Sequence, residues 1–227
     1  MGYVFPPISR IITPMQFKSL YFDLDDTLYP ASSGLWDAIR ERMNEYMQRL
    51  IGLPFAEIVT LRQGYLEKYG TTLRGLQAHY EVNADEYLAF VHDLPLEKYI
   101  KPDPGLRELL LSLPQHKWIF TNSDSRHAGR VMNILGVTDC FEGIIDIRAI
   151  DFACKPEKIA YQRALKVAGN ENPNESIIFD DSLRNLAPAR ELGFFTVLVG
   201  KNGTNPAVDR TIQGIHELRN CLPELWQ

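Results

Sequence analysis

Three carboxylates follow directly on an apolar run in the first part of the chain. Residues 20–22 are Leu-Tyr-Phe, and Asp23, Asp25 and Asp26 occupy three of the next four positions. Such a run is typical of a buried strand in a parallel sheet, and these sheets bind ligands at the carboxyl ends of their strands. Strand alternation predicts that Asp23 and Asp25 point to one side and Asp26 to the other. Carboxylates this close repel one another, so we expect a shared proton or Mg²⁺ between them.

Three later segments place polar side chains after an apolar run or before a helix. They are Thr121-Asn122-Ser123, Lys155-Pro156 and Asp180-Asp181-Ser182. The first offers hydroxyl and amide groups for phosphate oxygens, the second a cation, and the third further oxygen ligands for Mg²⁺. Together with the first carboxylates, they indicate phosphoryl transfer. One carboxylate attacks phosphorus, and the other donates a proton to the leaving oxygen and later activates water.

Composition is that of an ordinary globular protein. The 227 residues are 45% hydrophobic and 23% charged, which is enough for one sizeable core and a smaller lobe. The formal net charge of -5 gives no sequence-wide basis for binding a nucleic-acid polymer or an anionic membrane. Residues 1–16 lack the pattern of a signal peptide, and no stretch reaches the roughly 20 apolar residues of a membrane span. Three scattered cysteines favour a reducing compartment, so we expect a cytoplasmic protein. We expect a monomer or a homodimer.

Strand and helix patterns alternate from about residue 117 onward. The predicted strands are 20–23, 118–121, 143–147, 177–180 and 195–199. Residues 33–94 show only helical periodicity, so an all-helical segment is inserted after the first strand. The sequence therefore predicts an α/β fold with a doubly wound, Rossmann-like, mostly parallel sheet. Residues 1–29 and 98–227 form its catalytic core, and residues 30–97 form a helical cap that lies over the active edge as a lid.

The four motifs, in this order, resemble the haloacid dehalogenase superfamily of aspartate-nucleophile phosphohydrolases. The resemblance covers the predicted sheet domain from end to end. It implies a Mg²⁺-dependent enzyme in which Asp23 is the nucleophile and Asp25 the general acid and base. The implied site consists of catalytic Asp23, Asp25 and Lys155, phosphate-binding Thr121, Asn122 and Lys155, and metal-binding Asp23, Asp180, Asp181 and, through its backbone carbonyl, Asp25. Many relatives have a further Asp where this chain has Asn185.

Each motif also has an ordinary structural interpretation. Asp180, Asp181 and Thr121 can cap helices, and capping is compatible with phosphate binding. Lys155 by itself is more often a solvated lysine.

Asp25 distinguishes between reactions within the superfamily, because a halide leaves without a proton and an alcohol does not. Asp25 therefore favours phosphate esters over carbon–halogen bonds.

The cap resembles the pyrimidine 5'-nucleotidase branch of this superfamily. The segments that carry this resemblance are residues 25–30, residues 73–76 with His79, and residues 94–103. It implies hydrolysis of nucleoside 5'-monophosphates such as UMP or CMP. Tyr29, Arg74 and His79 are the candidate substrate contacts, although Arg74 can be a surface arginine and His79 a structural histidine.

Three alternatives stay open at this point. They are a phosphatase for sugar phosphates or other small metabolites, a non-catalytic phosphate-binding regulatory protein, and a phosphomutase. In each case the predicted partner is a small phosphorylated metabolite or a nucleotide.

Overall fold

The computed structural model describes residues 17–169 and 172–227. The stretch compared above with a signal peptide, and the first part of the predicted core, lie outside the described residues. In the described ranges, no helix combines the length and the apolar character needed to cross a membrane.

One parallel sheet organises the described residues. Its strands are β1 (Ser19–Phe22), β2 (His116–Phe120), β3 (Gly143–Ile145), β4 (Ser176–Asp180), β5 (Phe195–Val199) and β6 (Arg210–Ile212). Their order is β3-β2-β1-β4-β5-β6, with every pairing parallel. The prediction of a doubly wound parallel sheet is confirmed. The edge strand β6 was not predicted, because its sequence Arg-Thr-Ile contains no apolar run.

The helices of the described residues lie in the inserted segment and on both faces of the sheet. They are α1 (Leu35–Ile51), α2 (Phe55–Tyr69), α3 (Thr72–His79), α4 (Ala84–Val91), α5 (Pro104–Ser112), α6 (Ser125–Leu135), α7 (Lys158–Val167), α8 (Leu183–Leu192) and α9 (Leu218–Cys221). Leu20 and Phe22 of β1 pack with apolar residues of α5, α6 and α9 on one face. Tyr21 packs with residues of α7 and α8 on the other. This alternation of β1 between two buried faces explains its continuous apolar sequence.

The segment between β1 and β2 contains helices and no strand, as predicted. Helices α1 to α4 bury a separate apolar cluster that includes Met47, Ile58 and Tyr65. Helices α2 and α3 lie so close that a Cβ on Gly75 would be 2.3 Å from Tyr65 Cγ. The start of α1 joins the sheet's own core through Leu35. The division of the chain at residues 29/30 and 97/98 stays a prediction.

Candidate active site

Strand register brings the two acidic motifs together. Phe22 of β1 pairs with Phe179 of the neighbouring strand β4, and the Asp23 amide donates to the Phe179 carbonyl over 2.8 Å. Each strand then continues into a carboxylate, Asp23 on one and Asp180 on the other. Because parallel strands end at the same edge, segments more than 150 residues apart in sequence meet there.

A buried lysine bridges these two carboxylates. Lys155 Nζ donates to Asp23 Oδ1 over 2.8 Å and to Asp180 Oδ2 over 2.6 Å, and the side chain is 1% exposed. Burial by itself lowers the pKa of Lys155, but Asp180 and Asp23 outweigh it and raise this pKa above its ordinary value. The lysine is therefore a buried cation held between two carboxylates at the sheet edge, and its catalytic and phosphate-binding role stays a prediction.

Asn122 holds the backbone of this lysine. Its Oδ1 accepts from the Lys155 amide over 2.8 Å, and its Nδ2 donates to the Lys155 carbonyl over 2.9 Å. This amide therefore positions Lys155, a function that the sequence did not indicate. Thr121 Oγ1 accepts from the Ser123 amide over 3.0 Å, which leaves the Thr121 hydroxyl hydrogen available to another acceptor. Phosphate binding by Thr121 and Asn122 stays a prediction, although both residues line the cavity described below.

Three carboxylates surround one position at the sheet edge. One oxygen each of Asp23, Asp180 and Asp181 lie within 4.8 Å of one another. Burial raises the pKa of Asp23 well above its ordinary value, and the charges of Asp180 and Asp181 add to this effect while Lys155 opposes it. Burial, followed by Asp180 and Asp26, raises the pKa of Asp181 to about 7. This excess of negative charge, presented entirely by carboxylate oxygens, fits Mg²⁺.

Asn185 supports this cluster. Its Nδ2 donates to both Asp180 oxygens, over 3.0 and 3.1 Å, and the Ser182 amide adds a third bond of 2.9 Å. A neutral donor thus orients Asp180, whereas a further carboxylate at position 185 would repel it.

Asp25 has a separate set of partners. Its Oδ1 accepts from the Tyr29 hydroxyl over 2.5 Å and lies 2.9 Å from His127 Nε2, and its Oδ2 accepts from the Ser123 hydroxyl over 3.0 Å. Burial by itself raises the pKa of Asp25, but His127 and Tyr29 more than offset it, so this pKa falls to about 2. The Asp25 side chain does not join the three-carboxylate cluster, and the prediction that its backbone carbonyl binds metal stays a prediction.

The predicted orientation of Asp26 is wrong. The strand ends at Phe22, the chain turns, and Asp26 adopts a positive φ of 58°, so strand alternation no longer applies. Asp26 lines the same cavity as Asp23 and Asp25, and its buried Oδ1 has no hydrogen-bond partner within residues 17–169 and 172–227. Burial, and then the charge of Asp25, raises the pKa of Asp26 to about 6.

A cavity of about 380 Å³ separates the sheet edge from the cap. The cap side offers apolar, cationic and amide groups, among them Trp36, Arg40, Met43, Arg62 and Gln63. Asn44, a polar residue buried within α1, accepts from Arg62 Nε over 2.8 Å and so fixes this guanidinium. Sequence reasoning missed Arg62, because an arginine on a helix carries no signal that separates a cavity wall from a solvated face.

The three residues predicted to contact substrate do not line this cavity. Arg74 pairs with Glu157 over 2.7 Å, and the exposed His79 lies 2.8 Å from the Tyr69 hydroxyl. Tyr29 is 3% exposed, and its hydroxyl is bonded to Asp25, so its ring has no free face for a nucleobase. The ordinary interpretations of Arg74 and His79 match these contacts, and Tyr29 supports Asp25 instead.

This fold and site define a class of protein: a Rossmann-like sheet whose edge carries an acidic cluster and a lysine beneath a helical cap. A family model described as haloacid dehalogenase-like hydrolase matches residues 17–193. The chain belongs to this family, and the family resemblance of the four motifs is confirmed.

Two relatives match in sequence. The chain is 32% identical over 195 residues to phosphate metabolism protein 8 of Saccharomyces cerevisiae, which covers 80% of this chain and 61% of that protein. It is 33% identical over 98 residues to enolase-phosphatase E1 of Schizosaccharomyces pombe, covering 43% of this chain and 38% of that protein. The chain thus spans less than two thirds of the length of these relatives.

Solved structures show the same fold at low sequence identity. A HAD phosphatase from Thermococcus onnurineus superposes with a TM-score of 0.61 at 20% identity, covering 90% of this chain and 97% of the other. L-2-haloacid dehalogenase from Xanthobacter autotrophicus gives 0.57 at 18% identity, covering 90% and 97%. The architecture is therefore common to enzymes named for different reactions, and the reaction has to be argued from the site.

Proposed function

We propose that this protein is a Mg²⁺-dependent phosphomonoesterase that works through an aspartyl-phosphate. The observation that carries the proposal is the contrast between two carboxylates two residues apart. Asp23 lies among other acids with a lysine, where a metal and a phosphate can meet. Asp25 lies among hydrogen-bond donors and is suited to proton transfer. Two acids in different environments can take different roles in one reaction.

The first half of the reaction uses Asp23 as nucleophile. One of its carboxylate oxygens forms a bond to phosphorus while the ester P–O bond breaks, and the leaving oxygen takes a proton from Asp25. The Lys155 ammonium, held against Asp23, neutralises charge on the phosphoryl group. When bound, Mg²⁺ held by Asp23, Asp180 and Asp181 would supply further positive charge for the phosphate oxygens.

The second half uses Asp25 as base. Asp25 takes a proton from a water molecule that attacks phosphorus, the bond to Asp23 breaks, and inorganic phosphate is released. The pKa of about 2 makes Asp25 a carboxylate at neutral pH, which is the form that this half requires. The acid form needed in the first half is favoured by the substrate, because the negative charge of a nearby phosphate raises the pKa of a carboxyl group.

For the substrate, we propose nucleoside 5'-monophosphates, with pyrimidine nucleotides such as UMP and CMP favoured. The cap's resemblance to the pyrimidine 5'-nucleotidase branch supports this proposal. So does the cavity wall, where the Trp36 ring and the Arg62 and Gln63 side chains offer an aromatic surface and donors for base carbonyls. A volume of about 380 Å³ is within the range of small-molecule sites.

Release of inorganic phosphate from a panel of esters tests this function. The panel contains UMP, CMP, a purine nucleotide and sugar phosphates, each assayed with Mg²⁺ and with chelator. We expect turnover only with Mg²⁺, the highest kcat/KM for pyrimidine nucleotides, and no turnover in Asp23→Asn. Sugar phosphates ranking above nucleotides would replace the substrate proposal, and turnover by Asp23→Asn would refute the mechanism. Phosphate moved to another position of a sugar would indicate a mutase.

A further inference from the structure

His127 is placed against Asp25 by the start of helix α6. Asp124 caps this helix, and its Oδ1 accepts from the His127 amide over 2.9 Å. The His127 side chain is fully buried, and its Nε2 lies 2.9 Å from Asp25 Oδ1. Since the carboxylate accepts, Nε2 carries the hydrogen of this bond. The backbone and the side chain of His127 are thus both fixed.

The cap buttresses the same ring. His92, which follows α4, stacks on His127 with the ring centroids 4.2 Å apart and the planes 15° from parallel. The other nitrogen of His127, Nδ1, is buried and has no hydrogen-bond partner among the described residues. A buried polar atom without a partner costs free energy, so the ring is not oriented to satisfy its own groups. In the part of the chain that the structure describes, the hydrogen bond of this ring is to Asp25.

The three donors to Asp25 differ in their freedom. The hydroxyls of Tyr29 and Ser123 can rotate and turn from donors into acceptors when Asp25 takes up a proton. The His127 ring has no such freedom, because its side chain is fully buried and stacks on His92. In the described residues, Asp25 has no lysine or arginine partner that could replace His127.

We propose that His127 is a positioning residue that holds the Asp25 carboxyl group where it meets the leaving oxygen of the phosphate ester. The inference rests on the proposed function, in which Asp25 is the proton donor. His127 lies in helix α6, outside the four motifs, and fixes the orientation of that donor. Loss of this orientation should slow proton delivery to the leaving group without changing binding of the phosphate.

Leaving-group dependence tests this role. An alkyl phosphate such as UMP needs a proton on its leaving oxygen, whereas p-nitrophenyl phosphate releases a stable phenolate without one. The value of kcat/KM covers the steps through departure of the leaving group. His127→Phe keeps a ring against His92 and removes the donor. We expect it to lower kcat/KM for UMP by about 10-fold or more, and for p-nitrophenyl phosphate by less than about 3-fold.

Two further variants calibrate the result. Asp25→Asn should show the same discrimination between the two esters in larger degree. His127→Gln, whose amide can reach Asp25, should recover most of the loss on UMP. His116→Phe is the matched control, because His116 also contacts a carboxylate, that of Glu142, but is exposed at the start of β2. It should leave both esters unchanged.

The outcomes separate this inference from the proposed function. Equal losses on both esters in His127→Phe, with discrimination intact in Asp25→Asn, would show a merely structural role and overturn the inference alone. No discrimination in Asp25→Asn would refute the proton-donor assignment, and with it the inference. Thermal unfolding checks that each variant folds. If His127→Phe does not, His127→Asn, whose amide is too short to reach Asp25, takes its place in the same assay.

Discussion

Acidification should destabilise this protein through His92, and the magnitude can be worked from its environment. Burial lowers the pKa of His92 to about 3, helped by the charges of His127 and Arg130 and opposed by that of Asp25. Asp124 is the other acid nearby, with 3.6 Å between its Oδ1 and His92 Nδ1. In the unfolded chain this pKa returns to about 6.5. At pH 7.5 His92 is therefore neutral in both states, and no stability is lost there.

Below the unfolded pKa, the unfolded chain binds a proton at this position that the folded protein does not. Stability therefore falls as the pH drops from about 6.5 toward 3. At pH 5.5, one unit below the unfolded pKa, the loss is about 1.4 kcal/mol relative to pH 7.5. Other carboxylates also titrate in this range, so the effect of His92 has to be isolated by comparison with a variant.

His92→Phe provides this comparison, because it keeps the ring against His127 and removes the titration. Between pH 7.5 and 5.5, we expect the native protein to lose about 1.4 kcal/mol more unfolding free energy than the variant loses. Urea unfolding with chelator present, followed by circular dichroism, measures this change without a contribution from bound metal. If the difference in unfolding free energy between the two proteins stays constant within about 0.5 kcal/mol, His92 binds its proton equally well in the folded and unfolded states. The lowered pKa of His92 in the folded protein would then be refuted.

The remaining predictions concern the cap. Arg62→Met should raise KM for UMP about 10-fold in steady-state kinetics with little change in kcat, because Arg62 lines the cavity. Arg74→Met should leave KM unchanged, because Arg74 pairs with Glu157 instead. A larger effect of Arg74→Met would favour Arg74 as the substrate contact. Gly75→Ala should lower the unfolding free energy by about 1–3 kcal/mol, because its Cβ would overlap the Tyr65 ring. Gly64→Ala, in helix α2 with open space around the new methyl group, should instead be stabilising by about 0.5–1 kcal/mol. Equal effects in chemical denaturation would contradict the close approach of α2 and α3.

The sequence predicted those parts of the site that depend on strand ends. Asp23 follows an apolar strand and Asp180 ends another, and parallel strands end at one edge, so their meeting followed from the pattern alone. Asp26 was placed wrongly, because the pattern does not show where a strand stops and a turn begins.

Contacts between distant helices and loops could not be predicted. Asn122 holds the backbone of Lys155, 33 residues away, and nothing in either segment indicates the partner. The stacked pair of His92 and His127 joins a cap helix to a core helix, and each looks locally like an ordinary helix residue. Arg62 became a candidate only when the structure placed it on the cavity wall.

Trapping the covalent intermediate would show directly whether Asp23 receives the phosphoryl group. Borohydride reduces an aspartyl-phosphate to homoserine, so protein quenched during turnover of UMP with Mg²⁺ can be reduced, digested and sequenced by mass spectrometry. We expect homoserine at position 23, only with substrate present and not in Asp23→Asn. Homoserine at position 25, or turnover with no modified carboxylate at all, would contradict it.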